Sequence, residues 1–187
     1  DDALWVNLYI GNTGQIRIGE TDILLTQETD YPWDGSVKLT ISTSQPLEKE
    51  IRLRIPNWCK TYDLSINGKR INVSEEKGYA VIKDWKSQDV IALDMDMPVE
   101  IVADGMTKIG KRVIQRGPLV YCMEEIDNPE YFDQIQLSPS TTFQTAFVSD
   151  ILNGIKTIKT NGRAQSATFI PYYAWDNRKA GKMRVWI

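Results

Sequence analysis

Residues 49–55, Lys-Glu-Ile-Arg-Leu-Arg-Ile, decide the fold class, because polar and apolar side chains alternate from Glu50 to Ile55. Ile51, Leu53 and Ile55 would point to one side and Arg52 and Arg54 to the other. This is the period-two pattern of a β-strand with one buried face. Similar runs recur about every 8–12 residues, with Gly, Pro and Asn between them, and no helical stripe interrupts them. The sequence therefore predicts an all-β protein, an antiparallel β-sandwich.

Working outward, the same alternation predicts a strand over residues 3–10, with Leu8 and Ile10 on the same inward face as Leu4 and Val6. Both faces of this strand carry large side chains, so both are expected to be covered. A turn is predicted at residues 11–14, and Asn67-Gly68 predicts a hairpin with a type I′ turn. The remaining predicted strands are residues 15–18, 21–29, 36–43, 78–83, 90–95, 99–103, 111–115, 119–124, 142–148, 155–160, 167–175 and 183–187.

The alternation weakens after Asp104, which predicts a second β unit with a boundary near Asp104-Gly105. Residues 127–140 are polar, contain Pro129 and Pro139, and are predicted to be an irregular loop with one helical turn.

Composition excludes several classes of function. The 187 residues carry a net charge of −3, and the lysines and arginines are scattered, which argues against nucleic-acid binding. No apolar run is long enough for a membrane helix. Histidine is absent, which removes the commonest general base and zinc ligand. The two cysteines, Cys59 and Cys122, lack metal-binding spacing and are predicted to be buried thiols.

The segment from Gln27 to Gly35, Gln-Glu-Thr-Asp-Tyr-Pro-Trp-Asp-Gly, places three carboxylates in one predicted corner. Glycoside cleavage needs two carboxylates about 5–10 Å apart, and Glu28, Asp30 and Asp34 could lie that close. The favoured interpretation is structural: Asp30 or Asp34 caps turn N–H groups and Glu28 forms a salt bridge. Asp94 and Asp96 share a strand face and are predicted to be solvated rather than to bind calcium.

Aromatic side chains are the other candidates, because sugars stack on exposed rings. Packing within the sandwich or between domains is the favoured role, since each ring buries about 150–250 Å². Residues 171–175, Pro-Tyr-Tyr-Ala-Trp, have the densest aromatics and are the best candidate for sugar contact. The aromatic candidates for contact with sugar or with another domain are Tyr31, Trp33, Tyr172, Tyr173 and Trp175, and Trp58 and Trp85 are further candidates.

Five blocks together resemble the C-terminal part of the β-L-arabinofuranosidase family of glycoside hydrolases, family 127 and its relatives. They span nearly the whole chain and occur in the family's order. The blocks are residues 4–10 (LWVNLYI), 26–35 (TQETDYPWDG), 53–59 (LRIPNWC), 115–122 (QRGPLVYC) and 170–178 (IPYYAWDNR).

The resemblance implies a parent enzyme with an N-terminal (α/α)6 barrel that holds the active site, followed by β-sandwich domains. It places the catalytic cysteine, its zinc ion and the acid/base glutamate in that barrel, so no catalytic or metal-binding residue is expected in this chain. Cys59 and Cys122 do not match the family's paired-cysteine motif. The strand-like opening, without a methionine or signal segment, favours a chain that begins inside a longer protein.

The family layout further implies nesting: residues 1–104 plus 167–187 would form the first sandwich, and residues 105–166 an inserted second unit. The predicted function is a non-catalytic accessory region of a bacterial glycoside hydrolase, which braces the barrel of the same parent chain. The inserted unit is expected to contribute to a homodimer. The alternative is an autonomous carbohydrate-binding module for an arabinose-containing glycan, and the compartment, cytoplasmic or periplasmic, stays open.

One expectation concerns the surface. Without the barrel, the region should expose an apolar patch of about several hundred Å² near the first strand and the corner at Tyr31-Pro32-Trp33.

Overall fold

A computed structural model of the chain describes residues 3–103, 105, 110–161 and 166–187, and these residues form strands and no α-helix. The prediction of an all-β protein is confirmed. The strands are β1 (Ala3–Val6), β2 (Asn12–Ile18), β3 (Thr21–Thr29), β4 (Ser36–Thr43), β5 (Glu50–Arg54), β6 (Tyr62–Ile66), β7 (Lys69–Arg70), β8 (Ser74–Glu76), β9 (Tyr79–Ile82), β10 (Val90–Met95), β11 (Val99–Ala103), β12 (Arg112–Arg116), β13 (Leu119–Glu124), β14 (Phe143–Val148), β15 (Ile155–Thr160), β16 (Thr168–Pro171) and β17 (Met183–Arg184).

The first unit, which ends at Met97, contains two sheets with an apolar core. One sheet has the strand order β1-β5-β9-β8 and the other β2-β3-β4-β10-β6-β7. Strand β1 pairs with β5 in parallel, whereas the other pairs of this unit are antiparallel. The core takes side chains from both sheets, which is the packing of a sandwich.

Alternation along the strands fills this core as the sequence predicts. Ile51 and Leu53 of β5 are fully buried, as are Val37, Leu39 and Ile41 of β4. Each such side chain stabilises the fold by about 1.5–3 kcal/mol relative to an exposed one. The Asn67-Gly68 hairpin is also confirmed, since φ is 51° at Asn67 and 76° at Gly68, as a type I′ turn requires.

The predicted alternation of buried and exposed side chains at the start of the chain is wrong after Val6. Strand β1 ends at Val6, and the irregular residues after it turn the Tyr9 side chain inward, where its hydroxyl donates to the Arg54 carbonyl at 2.6 Å. Leu8 and Ile10, expected to face the core, are therefore 64% and 59% exposed. Trp5 is 49% exposed, whereas Ala3 on the same face is 6% exposed, so the outer face of β1 is only partly covered.

The predicted turn at residues 11–14 is also wrong. Asn12 begins strand β2 and pairs with Gln27 of β3. The glycines at both ends of this segment suggested a turn, but Gly14 lies within the strand opposite Leu25. Strand pairing here overrides the local preference of glycine. The short strand β8 was not predicted, because its residues are all exposed and carry no apolar alternation.

The second unit begins at Pro98 and is built on strands in the order β11-β12-β13-β16-β15-β14, with β17 pairing to β13. Its core includes the fully buried side chains of Ile114, Tyr121, Met123 and Phe169. The polar loop before β14 contributes buried side chains, and a 3-10 turn occupies Glu125–Asp127. No helical segment in the described ranges is long and apolar enough to cross a membrane.

The expected nesting of the two units is not what the structure shows. Strand β16 lies between β13 and β15, pairing Ile170 with Cys122 and Phe169 with Ile158, and β17 pairs with β13. Residues 167–187 therefore complete the second unit instead of returning to the first. Of the expected boundary, Asp104 lies outside the described residues, and the units divide between Met97 and Pro98. Strand alternation cannot show which unit residues 167–187 join, because it does not specify which strands pair.

Candidate functional site

The corner between β3 and β4 is a compact turn. The backbone N–H groups of Trp33 and Asp34 both donate to the Asp30 carbonyl, at 2.9 and 3.2 Å. The Tyr31-Pro32 peptide bond is cis. The Thr29 hydroxyl accepts from the Tyr31 N–H at 3.0 Å, so both backbone and side-chain hydrogen bonds stabilise the corner.

The carboxylates of the corner make the structural contacts that the sequence predicted. Asp34 Oδ1 accepts a hydrogen bond from the Ser36 N–H at 3.0 Å, and the Glu28 carboxylate lies 2.7 Å from Lys38 Nζ. Glu28 and Lys38 are paired across β3 and β4. The carbonyl of Asp30, not its side chain, organises the turn. These contacts engage Glu28 and Asp34 within the first unit and support a structural corner.

Two of the candidate aromatics lie at this corner. The Tyr31 ring stacks on Trp58 with 6.4 Å between centroids and meets the Tyr9 ring edge-on at 5.9 Å. Burial raises the pKa of Tyr31, so its hydroxyl stays protonated over a wide range of pH. Tyr31 and Trp33 are both partly buried. Tyr31 is therefore a packing residue of the first unit.

The other three candidates form an exposed aromatic cluster in the second unit. Tyr172, Tyr173 and Trp175 follow β16 and are 46%, 45% and 39% exposed. Tyr172 and Tyr173 belong to a 3-10 turn whose last residue, Ala174, is fully buried. The buried Ala174 holds the turn against the core while the three rings face outward. These three candidates therefore share one exposed segment because they are neighbours in sequence.

An ion-pair network that the sequence did not reveal holds the chain after the cluster. Arg178 contacts the carboxylates of Glu124 and Asp127, with Nη2 2.6 Å from Asp127 Oδ2. Glu124 also accepts from the Asp176 N–H at 2.8 Å. Glu124 ends the apolar strand β13 and is 5% exposed. The sequence does show an acidic residue at the end of a buried strand, which indicates a need for a cationic partner. That partner, Arg178, lies 54 residues away and cannot be identified from the sequence.

The two cysteines are free and buried, as predicted. Burial raises the pKa of the Cys59 thiol and raises that of Cys122 to about 12. Both changes disfavour the thiolate, which is the nucleophile and the metal-binding form. Among the described residues, no three His, Cys, Asp or Glu side chains lie close enough together to hold a metal ion.

Burial of Cys122 and Tyr121 predicts a loss of stability in alkali. Burial raises the pKa of Cys122 from 9.0 and that of Tyr121 from 10.0, each to about 12. Between these values the folded state binds more protons than the unfolded state, so this contribution is complete below about pH 9 and falls as pH rises. We expect the urea midpoint of the second unit to be flat from pH 7 to 8.5 and to decrease above that.

The Cys122→Ala variant is the control for this pH dependence. Its urea midpoint should begin to decrease only at higher pH, where Tyr121 ionises in the unfolded state. This onset does not depend on the value of the midpoint at neutral pH. A midpoint that is unchanged between pH 8.5 and 11 in the unsubstituted chain would contradict the expected coupling of burial to ionisation.

Family models cover both units of this structure. The model for the β-L-arabinofuranosidase GH127 middle domain matches residues 3–97, and the glycoside hydrolase family 127 C-terminal domain model matches residues 104–187. The chain belongs to glycoside hydrolase family 127. The matched regions are the middle and C-terminal domains, so these residues form the non-catalytic part of a family 127 protein.

Individual relatives agree with this assignment. A non-reducing end β-L-arabinofuranosidase of Bifidobacterium longum subsp. longum is 32% identical over 95% of this chain. The crystal structure of a GH127 β-L-arabinofuranosidase from Geobacillus stearothermophilus T6 superposes with a TM-score of 0.91, at 36% identity over 99% of the chain. A second solved GH127 β-arabinofuranosidase also gives a TM-score of 0.91, at 31% identity over the whole chain.

The family 127 chain spans about a third of the length of these relatives: 32% of the Bifidobacterium protein and 33% and 35% of the two solved structures. The relatives therefore contain further domains in the same polypeptide. The resemblance seen in the sequence, to the C-terminal β-sandwich region of this family, is confirmed.

Proposed function

We propose that this region braces the catalytic (α/α)6 barrel of a bacterial β-L-arabinofuranosidase and takes no direct part in bond cleavage. The nucleophile, the zinc ion and the acid/base residue would belong to that barrel. The match of the chain to the middle and C-terminal domains, and not to a catalytic domain, carries this proposal. The structural contacts of Glu28 and Asp34 and the buried state of both thiols support it.

The surface proposed to meet the barrel is an apolar patch near the start of the chain, formed by Trp5, Leu8 and Ile10. These side chains are 49%, 64% and 59% exposed within six consecutive positions. Tyr9 lies between Leu8 and Ile10 in sequence and its ring contacts Tyr31, so the segment that carries these side chains passes near the corner of the first unit. Clustered apolar side chains on a surface usually mark an interaction site.

The docking proposal predicts an effect that depends on the barrel. The double substitution Leu8→Ser with Ile10→Ser should leave the melting temperature of the isolated chain within about 2 °C, because both side chains are already exposed. In a polypeptide that also carries the barrel, the same change should lower the melting temperature by about 5 °C or more, because it removes buried contacts. Differential scanning calorimetry on both polypeptides measures this difference.

Leu24→Ser is the matched control, since Leu24 is 46% exposed on β3, away from the patch in sequence. It should have the same small effect in both polypeptides. Equal effects of the double substitution with and without the barrel would overturn the docking surface.

Glycan binding is the second candidate function, favoured by the exposure of Tyr172, Tyr173 and Trp175. Aromatic faces held by a buried anchor suit stacking against sugar rings, and an arabinose-containing oligosaccharide is the proposed ligand. Titration of the chain with arabinan oligosaccharides should give saturable binding at this cluster, and Trp175→Ala should remove that component. Binding that is equally strong in this variant would exclude the cluster as the site.

A homodimer through β14 is also proposed. This strand ends its sheet, and residues 134–148 carry no charged side chain, while Phe147 is 65% exposed. An uncharged edge strand can pair with a copy of itself about a two-fold axis. Thr145→Lys should shift analytical ultracentrifugation profiles toward monomer, whereas Gln15→Lys on the edge strand β2 should not. A monomeric unsubstituted chain at high concentration would overturn this proposal.

A further inference from the structure

The loop between β9 and β10 holds a tryptophan, Trp85, whose ring is fixed by the first unit. The ring is partly buried and packs against the core of the sandwich. Its Nε1 donates to the Lys49 carbonyl at 2.6 Å, just before β5. A tryptophan held at its polar edge and by the core loses little freedom when a ligand stacks on the remaining face. The ring is thus positioned without any ligand.

The rest of the loop is held by a chain of hydrogen bonds. Asp89 accepts from the Lys86 N–H at 2.7 Å and from the Asn67 side-chain amide at 2.8 Å. Asn67 Oδ1 in turn accepts from the Val90 N–H at 2.9 Å. These bonds tie the loop to the Asn67-Gly68 hairpin. The geometry around Trp85 is therefore preorganised, as binding sites require.

Trp85 lies at the boundary of two adjoining grooves on the first unit. One groove has a volume of about 720 Å³ and the other about 460 Å³. Both are lined by Trp85, Leu47, Glu48 and Lys86. A chain-like ligand that passes from one groove to the other would cross these shared residues. Grooves of these sizes fall within the range of small-molecule sites.

The charges around the larger groove are close to balance. Its lining contains three lysines and four carboxylates, which are Lys49, Lys83, Lys86, Glu48, Glu50, Asp84 and Asp89. Such a lining offers hydrogen-bond donors and acceptors without a strong field of either sign, unlike the basic surface that binds a polyanion. It suits a neutral ligand rich in hydroxyl groups, since hydroxyls both donate and accept.

We propose that Trp85 is the stacking platform of an oligosaccharide-binding subsite on the first unit, for a neutral glycan of at least two sugar units. The apolar face of one sugar would lie on the ring, while its hydroxyls donate to Glu48 and accept from Lys86. This inference rests on the proposed glycan-binding role and adds to it a second subsite, separate in sequence from the cluster at Tyr172, Tyr173 and Trp175.

The test follows the tryptophan indole N–H signals by NMR while the 187-residue chain is titrated with an arabinan-derived trisaccharide. The Trp85 signal is assigned with Trp85→Phe. We expect that signal to shift with saturation in the millimolar range. The double substitution Glu48→Ala with Lys86→Ala should raise the dissociation constant read from this shift at least tenfold. It should not disturb the core, because both residues are exposed.

The outcomes separate this inference from the broader proposal. A saturable shift at Trp85 that the double substitution weakens supports the subsite. A shift at Trp175 alone overturns the subsite and leaves glycan binding by the second unit in place. No shift at either residue overturns both glycan proposals, while the bracing role is still judged by the melting experiment with the barrel. A Trp85 shift that the double substitution does not change overturns the assigned roles of Glu48 and Lys86.

Discussion

Gly35→Ala should lower the free energy of unfolding of the first unit by about 3 kcal/mol, at the upper end of overpacking effects. A β-carbon at this position would lie 1.9 Å from the Met95 carbonyl oxygen and 2.9 Å from its carbonyl carbon. Both obstructing atoms belong to the backbone, so a rotamer change cannot relieve the contact. The Met95 N–H donates to the Gly35 carbonyl at 3.0 Å, so the two backbones must separate and lose that bond.

Gly14→Ala provides the matched control for this prediction. Gly14 lies in β2, and the nearest atom to an added β-carbon is a side-chain oxygen of Asn12, at 3.8 Å. Its loss of stability should stay within about 0.5 kcal/mol. Urea titration followed by circular dichroism compares the two variants. Equal midpoints for Gly35→Ala and the unsubstituted chain would show that the close approach of β10 to the corner does not hold the first unit together.

Arg178→Ala should lower the free energy of unfolding of the second unit by about 3–5 kcal/mol, the usual cost of removing one partner from a buried ion pair. The Glu124 side chain is 7% exposed and the Arg178 side chain 25% exposed. Hydrogen bonding to Asp127 raises the pKa of Arg178, so the guanidinium stays charged at every practical pH. Without the Arg178 guanidinium, the buried Glu124 carboxylate would lie beside Asp127 and lose its cationic partner.

The surface pair of Arg70 and Asp63 is the matched control, because their side chains are 74% and 59% exposed. Arg70→Ala should cost less than about 1 kcal/mol, as exposed pairs contribute little. Hydrogen exchange should also increase at residues 172–176 in Arg178→Ala, because Glu124 helps to hold the Asp176 N–H. Similar losses of stability in the two variants would contradict a structural role for the Arg178 network.

Several strands of the first unit could be predicted because one face of each is buried. Residues 21–29, 36–43 and 90–95 match the observed strands at both ends. The Asn67-Gly68 turn was also predictable, since few residues other than Asn and Gly adopt positive φ at two successive positions. In these cases the residue's own chemistry and its immediate neighbours determine the structure.

The failures involve contacts between residues that are distant in sequence. Tyr9 displaces Leu8 and Ile10 from the core because its hydroxyl reaches the Arg54 carbonyl, 45 positions away. Residues 167–187 belong to the second unit because β16 pairs with β13 and β15. The need for Gly35 comes from Met95, and nothing near Gly35 in sequence shows it.

The candidate site was only partly predictable for the same reason. The density of aromatics at residues 171–175 pointed to the exposed cluster, and the structure shows all three of its rings at the surface. The Arg178 network beneath it was missed because its carboxylates come from β13 and the turn that follows. The groove at Trp85 likewise depends on the hairpin at Asn67, which the sequence does not place beside the loop.

The most direct test of the central proposal is to incubate the purified 187-residue chain with an aryl β-L-arabinofuranoside, with and without added zinc. If the region only supports a catalytic barrel, no aryl alcohol is released above the rate in buffer, even at high concentrations of the chain. Release that is proportional to the concentration of the chain, and that Glu28→Gln or Asp34→Asn abolishes, would contradict this account and place catalysis at the corner between β3 and β4.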